Sequence, residues 1–338
     1  MNDSKMITPL FSVLFCFALL SLITTQAFGG APVAKATDVP AWDAAFFKYD
    51  RTTPLVVEET TPTAAQVDWK TRPARLPADV PAPRATAGPV KPYDLEGLRI
   101  TRLRFRNLDG VDVPVLLTRP AQGAGPFPVV IALHGLGSNK AQVTAQVAPA
   151  LAKRGFAVLA PDLPLHGERP GDARAMFDKS DLRAFVARAR QAVRDTRLCI
   201  DLAEARPELD TKAGVMLVGY SMGALFNAVV GPADSRVKAM CLLVGGVPAF
   251  PPLFASVPDL AALQPQLALP HFAGPLLMLN ATQDHIITRE MTQRMFDAAA
   301  QPKQLKWYES GHLLPKQAYD EAAQWVADQW KLVAAKKA

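Results

Sequence analysis

Apolar and polar positions change their pattern near Leu95, where a proline-rich region gives way to apolar runs of strand length that alternate with amphipathic stretches of helix length. Such alternation is typical of β-α-β units around a mainly parallel sheet. Eight strands are predicted, at Arg99–Phe105, Val113–Arg119, Val129–Leu133, Ala157–Ala160, Val215–Val218, Ala239–Val244, Leu276–Asn280 and Gln304–Tyr308. The first two alternate apolar with polar residues, which indicates a half-exposed antiparallel edge, whereas the later strands should be covered on both faces.

Helices are predicted in the stretches between these strands, at Lys140–Arg154, Asp181–Ala205, Met222–Val230, Arg289–Ala300 and Lys316–Leu332. The segment Val247–Gly274 is rich in proline and leucine and falls between two strands, so we expect a short lid there. The expected fold class is therefore α/β, with an eight-stranded mainly parallel sheet, helices on both faces and a short lid.

The start of the chain has the features of a secretory signal peptide, expected over residues 1–27. A short charged start, Met1–Lys5, precedes the apolar run Met6–Ile23, and small residues that a signal peptidase accepts follow. Cleavage after Ala27 or Ala31 would give a secreted or periplasmic protein with no stable membrane association. An uncleaved membrane anchor is the alternative.

Two further regions follow this segment. Residues 28–94 are rich in Pro, Ala and Thr, which favours an extended arm on the surface of the main domain, partly ordered near Phe46–Val57. The main α/β domain is expected over residues 95–335. With 49% hydrophobic and 20% charged residues, the 338-residue chain can bury a large core.

The net charge of +6 does not indicate a nucleic-acid partner. Basic residues are densest at Arg183, Arg188, Arg190, Arg194 and Arg197. Because aspartates interrupt this stretch and aromatic residues are scarce in it, we interpret it as a solvated helix face. Cys199 and Cys241, the cysteines outside the apolar run, are interpreted as buried thiols.

One motif carries chemistry. The pentapeptide Gly219-Tyr220-Ser221-Met222-Gly223 follows a predicted strand and precedes a predicted helix. This strand–turn–helix context is the one in which G-x-S-x-G presents a nucleophilic serine on a sharp, strained turn. Glycine is needed on both sides because side chains there would collide with neighbouring backbone. Ser221 is therefore the predicted nucleophile.

A serine hydroxyl needs a base to remove its proton, and the base needs a carboxylate to hold its tautomer. His312 follows the last predicted strand and Asp284 follows the strand before it. Both therefore lie at the carboxyl ends of strands, where open α/β sheets build their sites. We expect His312 to be the general base and Asp284 the acid that orients it, with Glu309 as a reserve acid.

Backbone amides should stabilise the oxyanion that forms when a serine attacks a carbonyl. One donor is expected from Met222, the residue after the nucleophile, and the other from Leu136, in the turn after the strand Val129–Leu133. His134, which begins this turn, is interpreted as a structural residue.

The remaining histidines do not form a metal-binding pattern, and no dinucleotide or P-loop motif follows a strand. No cofactor and no metal are therefore expected. His166 is interpreted as a residue that shapes its loop through hydrogen bonds with Asp162 or Glu168.

The sequence resembles the α/β-hydrolases, and within them the dienelactone-hydrolase-like and prolyl-oligopeptidase-like branch, from about Leu95 to Trp330. The motifs that carry the resemblance are PVVIALHGLGSNK, GFAVLAPDLPLHGER, VGYSMG, ATQDHIIT and SGHLLP. The segment FKYDRTTPLVVEE looks like the upstream arm of secreted bacterial members. The resemblance implies the same nucleophile, acid, base and oxyanion donors as the residue pattern.

One departure from the family changes the expected chemistry. Dienelactone hydrolases proper use a cysteine nucleophile, whereas this chain has Ser221. The resemblance therefore implies a secreted bacterial serine esterase that cleaves small-molecule carboxylic esters through an acyl-enzyme. Phe250, Leu253 and Phe254 in the lid are expected to line the substrate pocket.

Two other functions remain open at this point. A serine peptidase or aminopeptidase would need a negative group to hold the amino terminus of a substrate, and the lid region offers only Asp259. A catalytically inactive binding protein is the third hypothesis, although all three members of the triad are present. The sequence leaves the oligomeric state open.

Overall fold

The computed structural model describes residues 42–52, 54–63, 96–178, 180–249 and 257–336. Their strands form a ten-stranded sheet in the order β1-β2-β3-β5-β4-β7-β8-β9-β10, with β6 paired to β4. The strands are β1 Val57–Thr60, β2 Leu98–Arg106, β3 Asp112–Pro120, β4 Phe127–Leu133, β5 Ala157–Pro161, β6 Leu209–Asp210, β7 Val215–Tyr220, β8 Val237–Leu243, β9 Leu276–Ala281 and β10 Lys303–Tyr308.

Strands β4 to β10 run parallel to one another, whereas β1, β2 and β3 are antiparallel to their neighbours. The mainly parallel sheet is therefore confirmed. Two predicted exposures are wrong. Strand β3 is mostly buried because it lies between β2 and β5, and β10 alternates half-buried and exposed residues because it forms an edge of the sheet.

All eight predicted strands are present, and the structure adds two that the sequence pattern did not predict. Strand β1 comes from the N-terminal arm and pairs with β2 from Val57 opposite Phe105 to Thr60 opposite Arg102. Strand β6 contains only two residues. Neither contains an apolar run, so the strand count inferred from hydrophobicity was too low.

Helices cover both faces of the sheet. They are α1 Lys140–Ala152, α2 Leu182–Glu204, α3 Met222–Ala233, α4 Pro258–Ala262, α5 Pro265–Ala268, α6 Arg289–Ala298 and α7 Lys316–Ala335. Helices α1 and α7 pack over one face, and α2, α3 and α6 contribute to the core on the other. Cys199 and Cys241 are free and buried, one in each of these cores.

The described part of the predicted lid consists of α4, α5 and a short 3₁₀ turn at Leu269–His271. Ala268 and Leu269 are fully buried in the core that also contains α3, so this part of the lid is packed firmly onto the domain. Phe250, Leu253 and Phe254 lie outside the described residues.

The N-terminal arm lies along α2. Three arginines of that helix donate hydrogen bonds to arm carbonyls, with distances of 2.8 Å from Arg190 to Phe46, 2.8 Å from Arg194 to Lys48 and 2.6 Å from Arg197 to Phe47. The interpretation of this basic stretch as a solvated face is therefore wrong for these arginines, because the arm covers them. In the described part of the chain, no helix is long and apolar enough to cross a membrane.

Candidate active site

Ser221 lies in the sharp turn between β7 and α3, with φ 54° and ψ −112°. Its amide donates to the carbonyl of Leu243 at 2.9 Å, which fixes the strained turn to the neighbouring strand. A Cβ atom at Gly219 would lie 2.5 Å from the Gly223 carbonyl oxygen, and one at Gly223 would lie 2.3 Å from the Leu133 carbonyl oxygen. The close backbone approach therefore explains both glycines of the motif.

The side chains of Ser221, His312 and Asp284 form a continuous chain of hydrogen bonds. His312 Nε2 lies 3.1 Å from Ser221 Oγ, and His312 Nδ1 lies 2.7 Å from Asp284 Oδ2. Because an ionised carboxylate can only accept, Nδ1 carries the proton in this arrangement and Nε2 faces the serine as an acceptor. The structure therefore brings together the three residues that the sequence predicted, in the geometry of a nucleophile, its base and an orienting acid.

The carboxylate of Asp284 is held by backbone amides as well as by the histidine. Its second oxygen accepts from Ile286 at 2.8 Å and from Ile287 at 3.0 Å, and its side chain is only 1% exposed. Glu309, the reserve acid, is exposed. Asp284, and not Glu309, therefore bonds the imidazole of His312.

Tyr220 connects three segments of the site, and sequence reasoning missed it. Its hydroxyl donates to the carbonyl oxygen of His312, and its ring packs edge-on against the imidazole with 5.8 Å between centroids. A Cβ atom at Gly135 would lie 3.4 Å from Cδ1 of the same ring. Tyr220 is the first variable residue of G-x-S-x-G, which places it beside Ser221 in the sequence. The motif does not reveal which residue its side chain contacts.

The two predicted oxyanion donors both lie beside Ser221. Met222 is the first residue of α3, so its amide has no acceptor within the helix. Leu136 lies in the turn after β4, and a Cβ atom at Gly135 would be 3.4 Å from Cβ of Ser221. The turn is therefore packed directly against the nucleophile.

The amides that follow Leu136 are already engaged. The Ser138 amide donates to the Gly135 carbonyl at 3.1 Å, and the Gly137 amide donates to Nε2 of His166 at 3.0 Å. Within the described residues, the Leu136 amide has no protein acceptor. The Leu136 amide is therefore available for a substrate oxygen, whereas those of Gly137 and Ser138 are not.

Residues 134–139, the oxyanion loop, are joined to residues 162–168, the histidine loop. His134 Nε2 accepts from the Leu163 amide at 3.0 Å, so its ring bonds the backbone of the histidine loop and not the triad. His166 does bond within its own loop, to the Pro164 carbonyl at 2.7 Å, but the predicted partners Asp162 and Glu168 are wrong, because its other ring nitrogen accepts from the Gly137 amide.

Asp162, at the start of the histidine loop, bonds Lys140, the first residue of α1, which follows the oxyanion loop. This fully buried carboxylate accepts from the Lys140 amide at 2.9 Å, from Lys140 Nζ at 2.6 Å and from the Glu168 amide at 2.9 Å. Burial opposes ionisation of Glu168, but hydrogen bonds from Arg102 and Lys140 lower the pKa of this carboxyl to about 2. Among the described residues, no cluster of three or more His, Cys, Asp or Glu side chains could hold a metal ion.

The topology and the site together define an α/β-hydrolase. Residues 113–335 match the Dienelactone hydrolase family, which is about two thirds of the chain. The chain belongs to this family.

The relatives of this chain are hydrolases. Esterase YjfP of Escherichia coli is 32% identical over 181 residues, which span 51% of this chain and 68% of that protein. An acetyl xylan esterase from Paenibacillus superposes with a TM-score of 0.62 at 16% identity, covering 84% of this chain and 91% of the other. Acetyl xylan esterase 1 from Thermoanaerobacterium gives 0.55 at 17% identity, covering 70% and 86%. At such low identity these two structures show the shared fold alone.

Proposed function

We propose that the protein hydrolyses carboxylic esters through an acyl-enzyme on Ser221, with His312 as general base and Asp284 as its orienting acid. The observation that carries the proposal is the hydrogen-bonded chain in which His312 Nε2 lies 3.1 Å from the serine oxygen and Nδ1 lies 2.7 Å from the carboxylate. The similarity to an esterase of Escherichia coli supports the same class of reaction.

In the first half of the proposed reaction, Ser221 Oγ attacks the acyl carbon of the ester as its proton passes to His312 Nε2. The carbonyl electron pair moves onto oxygen, and the amides of Leu136 and Met222 stabilise the negative charge. Collapse of the tetrahedral intermediate breaks the bond to the alcohol, which leaves with the proton from His312. The acyl group remains on the serine.

Water then takes the place of the alcohol. His312 removes a proton from the water as its oxygen attacks the acyl carbon, and the same amides stabilise the second oxyanion. Collapse releases the carboxylic acid and returns the proton to Ser221. The buried carboxylate of Asp284 stabilises the imidazolium formed in each half of the cycle.

The proposal is tested by labelling with a fluorophosphonate, which modifies an activated serine covalently. We expect the wild-type protein to be labelled and to hydrolyse p-nitrophenyl acetate, and Ser221→Ala to do neither. Labelling or turnover that persists in the variant would refute the role of Ser221.

The substrates are proposed to be esters of short acyl chains. The apolar residues Phe250, Leu253 and Phe254 in the sequence of the expected lid support this proposal. A small apolar pocket adds up to about 0.8 kcal/mol per methylene until it is filled. We expect kcat/KM to be highest for acetyl to octanoyl esters and lower for palmitoyl esters. Alanine and proline arylamides cleaved as fast as the best ester would favour a peptidase instead.

We also propose that the protein is exported after removal of its first residues. The charged start and the apolar run Met6–Ile23 support this proposal. N-terminal sequencing of protein from the periplasm or medium should find a start near Phe28 or Pro32. A membrane-bound protein that retains Met6–Ile23 would favour the anchor.

A further inference from the structure

We propose that His134 and His166 are positioning residues for ester hydrolysis: each holds one of the two peptide planes that flank Leu136, so that together they aim the Leu136 amide at the oxyanion. The inference rests on the proposed function, because it assigns these residues a role in stabilising the oxyanion formed at Ser221.

Each histidine accepts a hydrogen bond from a backbone amide of the other histidine's loop. His134, in the oxyanion loop, accepts from Leu163 at 3.0 Å, and His166, in the histidine loop, accepts from Gly137 at 3.0 Å. Each Nδ1 donates to a carbonyl of its own loop, at 2.8 Å to Gly135 and 2.7 Å to Pro164. All four ring nitrogens are therefore engaged, and each imidazole acts as one donor and one acceptor, which requires the neutral form.

His134 acts on the peptide unit that contains the Leu136 amide. The carbonyl of this unit belongs to Gly135, and it accepts from His134 Nδ1 and from the Ser138 amide. In a planar trans peptide, the N–H and the C=O point in opposite directions. Fixing the carbonyl toward His134 therefore directs the Leu136 N–H away from His134, within the same plane.

His166 acts on the next peptide unit along the chain. The amide of this unit belongs to Gly137, and His166 Nε2 is its acceptor at 3.0 Å. Both planes around the Leu136 Cα are then restrained, one through its oxygen and one through its nitrogen. Two rotatable bonds separate these planes, so holding the second plane limits how far the first can turn about the Leu136 Cα.

Burial makes this arrangement rigid. His134 is fully buried, His166 is 2% exposed, and their ring centroids lie 5.0 Å apart. Neither ring can exchange its partners for water, and a ring that turned away would leave a backbone amide or carbonyl without a partner.

Burial favours the neutral form of both rings, which the arrangement needs. Burial, followed by the neighbouring His166, lowers the pKa of His134 well below its usual range, and Lys140 and Arg169 act in the same direction. Burial also lowers the pKa of His166, against the opposing charge of Asp162. Neutral imidazoles keep Nε2 available as the acceptor of the other loop's amide.

A matched pair of variants tests the role of His166. In His166→Asn the side-chain NH₂ takes the place of Nδ1 and can still donate to the Pro164 carbonyl, but the asparagine side chain is too short to accept from the Gly137 amide. In His166→Gln the longer side chain places an acceptor near the position of Nε2. We expect kcat for p-nitrophenyl acetate to fall about 10- to 100-fold in the Asn variant, since misplacing an oxyanion donor costs part of the effect of removing it. The Gln variant should retain at least five times the kcat of the Asn variant.

An alkylboronic acid provides a readout of the oxyanion hole itself. Its adduct with Ser221 is tetrahedral and places an oxygen where the oxyanion forms, so its affinity should fall in proportion to kcat/KM. KM for the ester should change less than twofold. A role confined to stability would instead lower the melting temperature and the active fraction, and leave kcat per active site unchanged.

Val326→Ala is the destabilised control, because it creates a cavity under α7 in the core cluster that contains no residue of either loop. Rates are expressed per active site, titrated with the fluorophosphonate. If the wild-type protein is labelled and active but the Asn and Gln variants have equal kcat and equal boronic acid affinity, the positioning role is refuted. If the wild-type protein is neither labelled nor active, the proposed function itself fails.

Discussion

Tyr220→Phe removes a single hydroxyl from the residue that joins the nucleophile turn to the segment carrying His312. The variant keeps the edge-on ring contact with the imidazole and the contact with Gly135. It loses the hydrogen bond to the His312 carbonyl, which is a bond to the backbone of the base itself. Tyr220 is only 6% exposed, so water cannot easily take the place of the missing hydroxyl.

The expected fall in kcat of Tyr220→Phe depends on the hydrogen bond that is lost and on the contacts that still hold the His312 segment. A net hydrogen bond contributes about 1 kcal/mol, and a buried carbonyl left without its donor adds a similar amount. The segment before His312 is still held by the bond from the Gln283 amide to the Ser310 carbonyl at 3.0 Å, so we expect it to shift rather than to detach. Loss of about 0.7 to 2 kcal/mol of transition-state stabilisation lowers kcat about 3- to 30-fold.

Tyr308→Phe is the matched control. This hydroxyl donates to Glu321 on α7 at 2.8 Å, so its removal costs stability without releasing the base. The assay compares kcat per active site, the rate of fluorophosphonate labelling and the free energy of unfolding in urea. We expect both variants to be destabilised and only Tyr220→Phe to be slowed in turnover and in labelling. Equal turnover in the two variants would refute the reasoning.

Three further outcomes are expected. Ser221→Ala should lower turnover by about 10⁴-fold or more, measured with p-nitrophenyl acetate, while the melting temperature stays near that of the wild type; residual activity above about 1% would contradict this. The buried histidines have lowered pKa values, so the unfolded chain should bind more protons than the folded chain as the pH falls below about 6.5, and stability should fall by up to about 1.4 kcal/mol per pH unit for each. The free energy of unfolding, measured in urea between pH 7.5 and 5, should change less steeply with pH in His166→Gln than in the wild type. An unchanged dependence on pH would show that His166 does not contribute to it. Arg197→Ala should lower the free energy of unfolding by about 2 kcal/mol and speed proteolysis of the arm, because the guanidinium bonds both Asp234 and the Phe47 carbonyl. The loss is limited because Asp234 keeps its pair with Arg236, although the Arg197 side chain is only 12% exposed. Unchanged cleavage of the arm would show that other contacts hold it.

The strands and the main helices were predictable because they depend on local pattern. Apolar runs identified the central strands, and the predicted helices appear as α1, α2, α3, α6 and α7 with ends displaced by a few residues. Edge behaviour was not predictable, because the exposure of β3 and β10 depends on which strands lie beside them. The arginines of α2 show the same limit, since a charge pattern cannot reveal that an arm from elsewhere in the chain covers it.

The sequence by itself indicated which three side chains come together at the candidate site. The pentapeptide around Ser221, with His312 and Asp284 each following a strand, was sufficient to predict the triad, because glycine spacing and strand order are written in the chain. Only the tertiary structure decided what holds these groups in place. Tyr220 meets the His312 carbonyl across 92 residues, and His166 meets Gly137 across 29. Such contacts depend on the packing of strand ends side by side, and a backbone amide or carbonyl has no sequence signature that could reveal its partner.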